Sequence, residues 1–173
     1  MTKSRSFGIV MRNKKIIQEV LLLIKADANR LEFTATQPNL VISPENSRDR
    51  LATFIGKARK ELLIYDPNLS DDRMIRLLKE RAKANVRVRI LGKLEKKWRG
   101  DDLQSEPFPD GRLHVRAIVR DGSRAFVGSQ SLRKLELDGR REVGIIVRER
   151  NLVKRLSATF ETDWAKTPSG EEQ

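Results

Sequence analysis

Residues 112–131 read RLHVRAIVRDGSRAFVGSQS. The β-branched runs Leu113–Val119 and Arg124–Val127 flank Asp121-Gly122, a dipeptide that favours the positive φ angles of a two-residue hairpin. The reading is therefore two antiparallel strands joined tightly. Downstream, Val143–Val147 reads as another strand and Leu152–Trp164 as a helix. Upstream, Leu40–Ile42 is a short strand, with Ser43-Pro44 as N-cap and first helical position of the next helix. Leu51, Phe54, Ile55 and Ala58 then recur at helical spacing. Leu62–Tyr65 is a strand closed by Asp66-Pro67-Asn68. Ser70 caps a helix whose buried stripe is Met74, Leu77, Leu78 and Ala82, with Asp71 and Asp72 favourably placed in its first turn. Val86, Val88 and Ile90 alternate with Arg87 and Arg89, a strand with one apolar face. Lys93–Gly111 breaks the pattern and reads as a loop or insertion; its Trp98 reads as cover for a small satellite core. Alternation of strand and helix predicts an α/β fold, a mixed β-sheet flanked by helices on both faces.

The chain has 173 residues, enough for one compact domain. Its 36 Lys+Arg against 24 Asp+Glu give a formal charge of +12, which favours anionic partners without choosing among them. Cysteine is absent, which excludes disulfides, thiolate nucleophiles and zinc fingers. His114 is the single histidine, so a metal site built on several histidines is excluded within these residues. The longest apolar run, Val20–Ile24, is far short of a membrane span. The expectation is a cytoplasmic protein, or one peripheral to a membrane.

A shift of 136 positions lays Arg5, Gly8, Ile9, Arg12 and Asp27 on Arg141, Gly144, Ile145, Arg148 and Asp163, without a gap. Both copies read strand, turn, helix. Residues 1–38 are thus expected to be the tail of an earlier domain that began before Met1. Residues 39–166 are the main domain, and 167–173 a frayed tail.

Around His114 the chain runs His114-Val115-Arg116, four residues, Asp121, six residues, Gly128-Ser129-Gln130-Ser131, with Glu142 following. This resembles the motif of the phospholipase D superfamily: His-x-Lys, four residues, Asp, six residues, Gly-Ser-x-Asn, and a trailing acid. The layout from Leu40 to Trp164 resembles one such domain, of the cardiolipin synthase branch. Arg116 stands where the family has Lys, and Ser131 where it often has Asn. Arginine keeps the charge and can fork onto a phosphate, but it is bulkier than a point charge.

The resemblance implies a phospholipase D-like phosphodiesterase or phosphatidyltransferase acting through a phosphohistidine, with no cofactor and no metal. In that chemistry His114 is the nucleophile. Arg116, Gly128, Ser129 and Ser131 bind the phosphate. Glu142 holds the far imidazole nitrogen and Asp121 supports the turn, either acid being able to fix the tautomer. On one strand His114 and Arg116 point to the same face, and the expectation is that they share it with Ser129 and Glu142. The substrate class is a phosphodiester, a phospholipid headgroup or nucleic acid. The family uses two histidines from two facing motifs, and this sequence holds one. A homodimer in the manner of the single-motif nucleases would supply the second, with Asp101, Asp102, Glu136 and Asp138 offsetting repulsion near the interface. The other reading is a catalytically impaired remnant that binds phosphate backbones.

Overall fold

The computed structural model describes residues 4–98, 100 and 103–171. Strand β1 (Ser4–Arg5) precedes helix α1 (Lys14–Ala28). Next come β2 (Leu40–Ser43), α2 (Ser47–Gly56), β3 (Glu61–Leu69), α3 (Asp72–Lys83) and β4 (Arg87–Leu94). A 3-10 turn (Lys96–Trp98) leads to β5 (Gln104–Glu106), β6 (Arg112–Leu113), β7 (Arg116–Arg120) and β8 (Arg124–Gly128). The chain closes with α4 (Lys134–Asp138), β9 (Glu142–Val147), α5 (Arg150–Trp164) and α6 (Pro168–Glu171).

The main sheet has the order β2-β9-β8-β7-β3-β4-β5. It is antiparallel from β2 to β3 and parallel from β3 through β5. Side-chain alternation gives it two apolar faces. Val41, Leu62, Ile64, Val88, Ile90, Ile118 and Phe126 face α2, α3 and α4. Leu63, Tyr65, Leu91, Ala117, Val119 and Ala125 face Val153, Leu156, Phe160 and Trp164 of α5. Helix α1 covers the far end of that second face, with Ile16 and Leu23 against Leu40, Ile42, Val143 and Ile145. The expected mixed sheet with helices on both faces is what forms.

The Asp121-Gly122 turn has φ 53° and 57°, the positive pair a two-residue hairpin needs. Strand β7 is shorter than the sequence suggests. His114 and Val115 lie between β6 and β7, because β6 pairs with β1 and the His114 N–H donates to the Arg5 carbonyl at 3.0 Å. Two helix starts also differ. Helix α2 begins at Ser47, with Asn46 before it accepting from the Ile42 N–H at 2.9 Å. Asp71 caps α3, accepting from the Met74 N–H, while the Ser70 N–H goes to the Leu132 carbonyl.

Lys93–Gly111 is not all loop: β5 adds a parallel edge strand to β4. Trp98 packs against the α2–α3 core, with Lys79 and Lys97 over its ring at 5.6 and 5.5 Å. Arg89, expected on a polar face, is buried. It pairs with Glu161 at 2.5 Å and lies over Phe160 and Trp164 at 5.6 and 5.5 Å. The tail is docked as far as Glu171: Thr167 is buried and its hydroxyl donates to the Trp164 carbonyl at 2.7 Å. Arg99, Asp101, Asp102 and the residues at the extreme ends lie outside the described residues.

The N-terminal segment is tied to the main body. Arg5 grips the buried Asp163 with two hydrogen bonds, at 2.8 and 2.5 Å. The Glu19 carboxylate accepts the Thr36 and Gln37 N–H groups and the Thr36 hydroxyl. These donors hold Glu19 below the usual carboxylate range against the opposing effect of burial. Helices α1 and α5 are both 15 residues long and begin 136 positions apart. Each is capped by a side chain (Asn13, Glu149) that accepts the N–H groups two and three residues on. Residues 6–11 form no strand, unlike their counterparts 142–147, which have β2 and β8 to pair with.

Candidate active site

The strand register collects the motif at one end of the sheet. Arg116 of β7 pairs with Gly128 of β8, and Gly128 with Gly144 of β9. His114, Ser129 and Glu142 all lie just beyond that row, at the same end of three adjacent strands. His114 is exposed, and no hydrogen bond to its ring is found among the described residues.

Arg116 is half-buried and directed into the protein. Its Nε donates to the Ser131 hydroxyl at 3.2 Å and sits 3.9 Å from a Glu136 oxygen; one Nη donates to the His114 carbonyl at 3.4 Å. Ser129 is fixed to the next strand. Its Oγ accepts the Val143 N–H at 3.1 Å and reaches the Val143 carbonyl at 3.3 Å. Glu142 is half-buried, with Arg140 at 3.9 Å.

Gly128 is required for packing. A Cβ there would stand 2.5 Å from the Gln130 side chain and 2.7 Å from both Gly144 Cα and Phe126. The close approach at Gly128 is thus between two strands and the ring beneath them. Asp121 stands apart from the rest, at the turn end of the β7–β8 hairpin. Its carboxylate accepts the N–H groups of Arg59, Lys60 and Glu61, at 3.1, 2.7 and 3.1 Å. It clamps the start of β3 and is out of reach of His114, which lies seven residues back along the chain, beyond the full length of β7, itself about 13 Å.

Two acids beneath the site have no place in the sequence motif. Asp66 is buried, one step past the Tyr65–Ala117 pair in the β3–β7 register. It accepts the Leu132 N–H at 2.7 Å and the Asn68 N–H at 3.0 Å. Burial pushes its carboxyl up to about 6, and Glu136 adds to that, while the two N–H groups and the Ser131 hydroxyl oppose it. Glu136 is 3% exposed, so it is no surface acid for an interface. It accepts the Ser131 N–H at 2.6 Å and pairs with Arg133 at 3.4 Å. Asp138 is also engaged, by Arg48 and Lys134 at 2.7 and 3.0 Å, and is held down to about 2 by those bonds. Asp66 had a legible signal, being in phase with the inward Leu62 and Ile64. Glu136 had none, between Leu135 and Leu137 in a five-residue helix.

The arrangement can present one exposed imidazole beside one guanidinium. That guanidinium is oriented through Ser131 by a buried acidic pair.

Comparison with known proteins agrees with this layout. Residues 51–164 match the family model described as cardiolipin synthase, PLD-like domain. The phospholipase D family member Nuc from Salmonella typhimurium superposes with a TM-score of 0.63 at 14% identity, over 74% of this chain and 93% of that one. NucT from Helicobacter pylori gives 0.60 at 15% identity, over 74% and 95%. A polyphosphate kinase from Porphyromonas gingivalis gives 0.71 at 18% identity, over 86% of this chain but 26% of that one. No curated protein matches the sequence. No helix among the described residues is long and apolar enough to cross a membrane.

Proposed function

From the premise that this chain belongs to the phospholipase D-like domain family, we propose that it binds and cleaves phosphodiesters through His114. The observation that carries the reading is the convergence of His114, Arg116, Ser129, Ser131 and Glu142 at one end of β7, β8 and β9, with His114 open to solvent. The His114 imidazole attacks phosphorus and the departing alkoxide takes a proton from a second histidine. The phosphorus–nitrogen bond is then broken by water, which gives its proton back to that histidine. Arg116 balances the charge on the non-bridging oxygens. Its fork is set by Ser131 and Glu136. Glu142 is the residue to orient the His114 ring as charge develops on it. The second histidine comes from outside these 173 residues, a second copy being the simplest source, since a twofold presents one patch twice.

The test is turnover of bis(p-nitrophenyl) phosphate, followed together with sedimentation. The expected result is activity confined to a dimer, abolished by His114→Ala, with an acid-labile phosphoryl adduct on His114. Activity retained by His114→Ala refutes the reading. One observation favours a second reading, in which the chain binds phosphate backbones without turnover: Arg116 replaces the family lysine and is drawn inward onto Ser131. A folded chain that binds phosphodiesters at His114 without an adduct or turnover selects that reading.

A further inference from the structure

The turn end of the β7–β8 hairpin carries a different arrangement. Arg120 and Arg124 are directly opposite each other in the register. Like charges so placed repel across an antiparallel pair. Arg148, Arg50 and Lys57 converge on the same cavity of about 430 Å³, and Asp49 is the one carboxylate in its lining.

Arg120 is 7% exposed. Its guanidinium lies over the Phe54 ring at 4.6 Å, and one Nη donates to the Phe54 carbonyl at 2.9 Å. The remaining N–H groups make no hydrogen bond among the described residues. Lys57, Arg120, Arg124 and Arg148 make no ion pair with any described carboxylate. Burial, followed by repulsion from Arg124 and Arg148, depresses the Arg120 pKa, and Asp121 offsets this in part.

Four other arginines are compensated instead. Arg5, Arg48, Arg89 and Arg141 each hold one or two carboxylates at 3.0 Å or less. An uncompensated cluster around a concavity, with one member buried and held in place by an aromatic ring, is a preformed anion site.

We propose that this cavity binds a short chain of linked phosphoryl groups, free or as the phosphates of a nucleotide. Guanidinium forks match phosphoryl oxygens in pairs. Five cations against one acid call for more charge than a single phosphate dianion supplies. The site is distinct from the His114 end: the length of β7, about 13 Å, separates Arg120 from Arg116, and His114 lies beyond Arg116.

The experiment is isothermal titration with sodium tripolyphosphate and, in parallel, with ATP in the absence of divalent cations. Saturable binding of one equivalent is expected. Arg124→Ser with Arg148→Ser should raise Kd by at least about tenfold, the loss of two charge-assisted contacts. Lys83→Ser with Lys154→Ser, both exposed and equal in net charge change, should raise it less than about threefold. His114→Ala should bind as the unaltered chain does, which separates this site from the proposed active site. Equal affinity for the two probes identifies the phosphate chain as the whole ligand, and tighter ATP binding adds the nucleoside; both uphold the proposal. Binding with no saturation, an equal effect of the two double variants, or binding of duplex DNA but neither probe overturns it. Unchanged melting temperatures establish that the variants fold.

Discussion

Asp66→Asn is the sharpest test of the acidic pair beneath the site. Asp66 titrates near 6 in the folded protein, against an ordinary 3.8. The folded chain therefore holds this proton more tightly than the unfolded chain does, and stability rises as pH falls through 6. The gap of about two pKa units is worth about 3 kcal/mol once pH is below 3.8. About 1.4 kcal/mol of that is gained between pH 7 and pH 5. The same window lies above the range in which Glu19, Asp71 and Asp138, all held below the usual range by their partners, lose their contribution. Urea denaturation of both proteins at pH 7, 6 and 5 isolates Asp66 as the difference between them. The native chain should gain about 1.4 kcal/mol relative to Asp66→Asn on going from pH 7 to pH 5. The variant starts from its own loss, because an amide offers one acceptor oxygen where the Leu132 and Asn68 N–H groups need two. That offset is independent of pH and drops out of the comparison. Parallel pH profiles for the two proteins would refute the reasoning.

Asp163→Asn removes the charge that Arg5 grips and leaves the Tyr65 hydroxyl with a poorer partner than its present 2.6 Å bond. The expected loss is about 2 kcal/mol by urea denaturation, below the 3–5 typical of a fully buried pair because Arg5 retains solvent contact. Asp121→Ala strips the acceptor from three backbone N–H groups and puts alanine at positive φ. It should cost about 2 kcal/mol, and hydrogen exchange at Arg59–Glu61 should speed up. Gly144→Ala places a Cβ 2.4 Å from the Phe126 ring and 2.7 Å from the Gln130 oxygen, and should lower stability by about 1–3 kcal/mol in a thermal melt.

The sequence showed the hairpin because Asp121-Gly122 is local chemistry: positive φ at both positions is a property of two adjacent residues. It showed the sheet faces because burial imposes period two. His114 was placed on a strand because its neighbours alternate. That failed, since whether a residue joins a ladder depends on its partner, and here the His114 N–H is taken by Arg5, over a hundred positions away. Helix starts slipped for a related reason. Ser43 and Ser70 have capping chemistry, but Asn46 and Asp71 are the side chains whose geometry reaches the strand and helix N–H groups. Asp121 has a motif position and a hairpin position at once, and only the contacts to Arg59, Lys60 and Glu61 show the hairpin role. Glu136 was unreadable because a five-residue helix has too few turns for periodicity to assign an inside.

The net charge of +12 is not spread evenly over these features. At the His114 end, Arg116 has Glu136 at 3.9 Å with Asp66 behind Ser131. Arg48 is matched by Asp71 and Asp138, and Arg141 by Asp27 and Glu45. Under the proposed function, phosphate recognition there rests on directed donors more than on field. At the turn end Lys57, Arg120, Arg124 and Arg148 make no ion pair with a described carboxylate and share one concavity, so their attraction for a polyanion adds up at one place. Salt dependence separates the two. For duplex DNA used as a generic polyanion, log affinity falls with log salt by about 0.9 per phosphate neutralised. Arg124→Ser with Arg148→Ser should therefore flatten the slope by nearly 2, whereas Arg116→Ala, whose charge is already balanced within the fold, should change it by well under 1. Fluorescence anisotropy from 50 to 200 mM salt reads both slopes. A larger flattening from Arg116→Ala than from the double variant would mean that the field lies over His114, and the partition of charge argued from the ion pairs would be wrong.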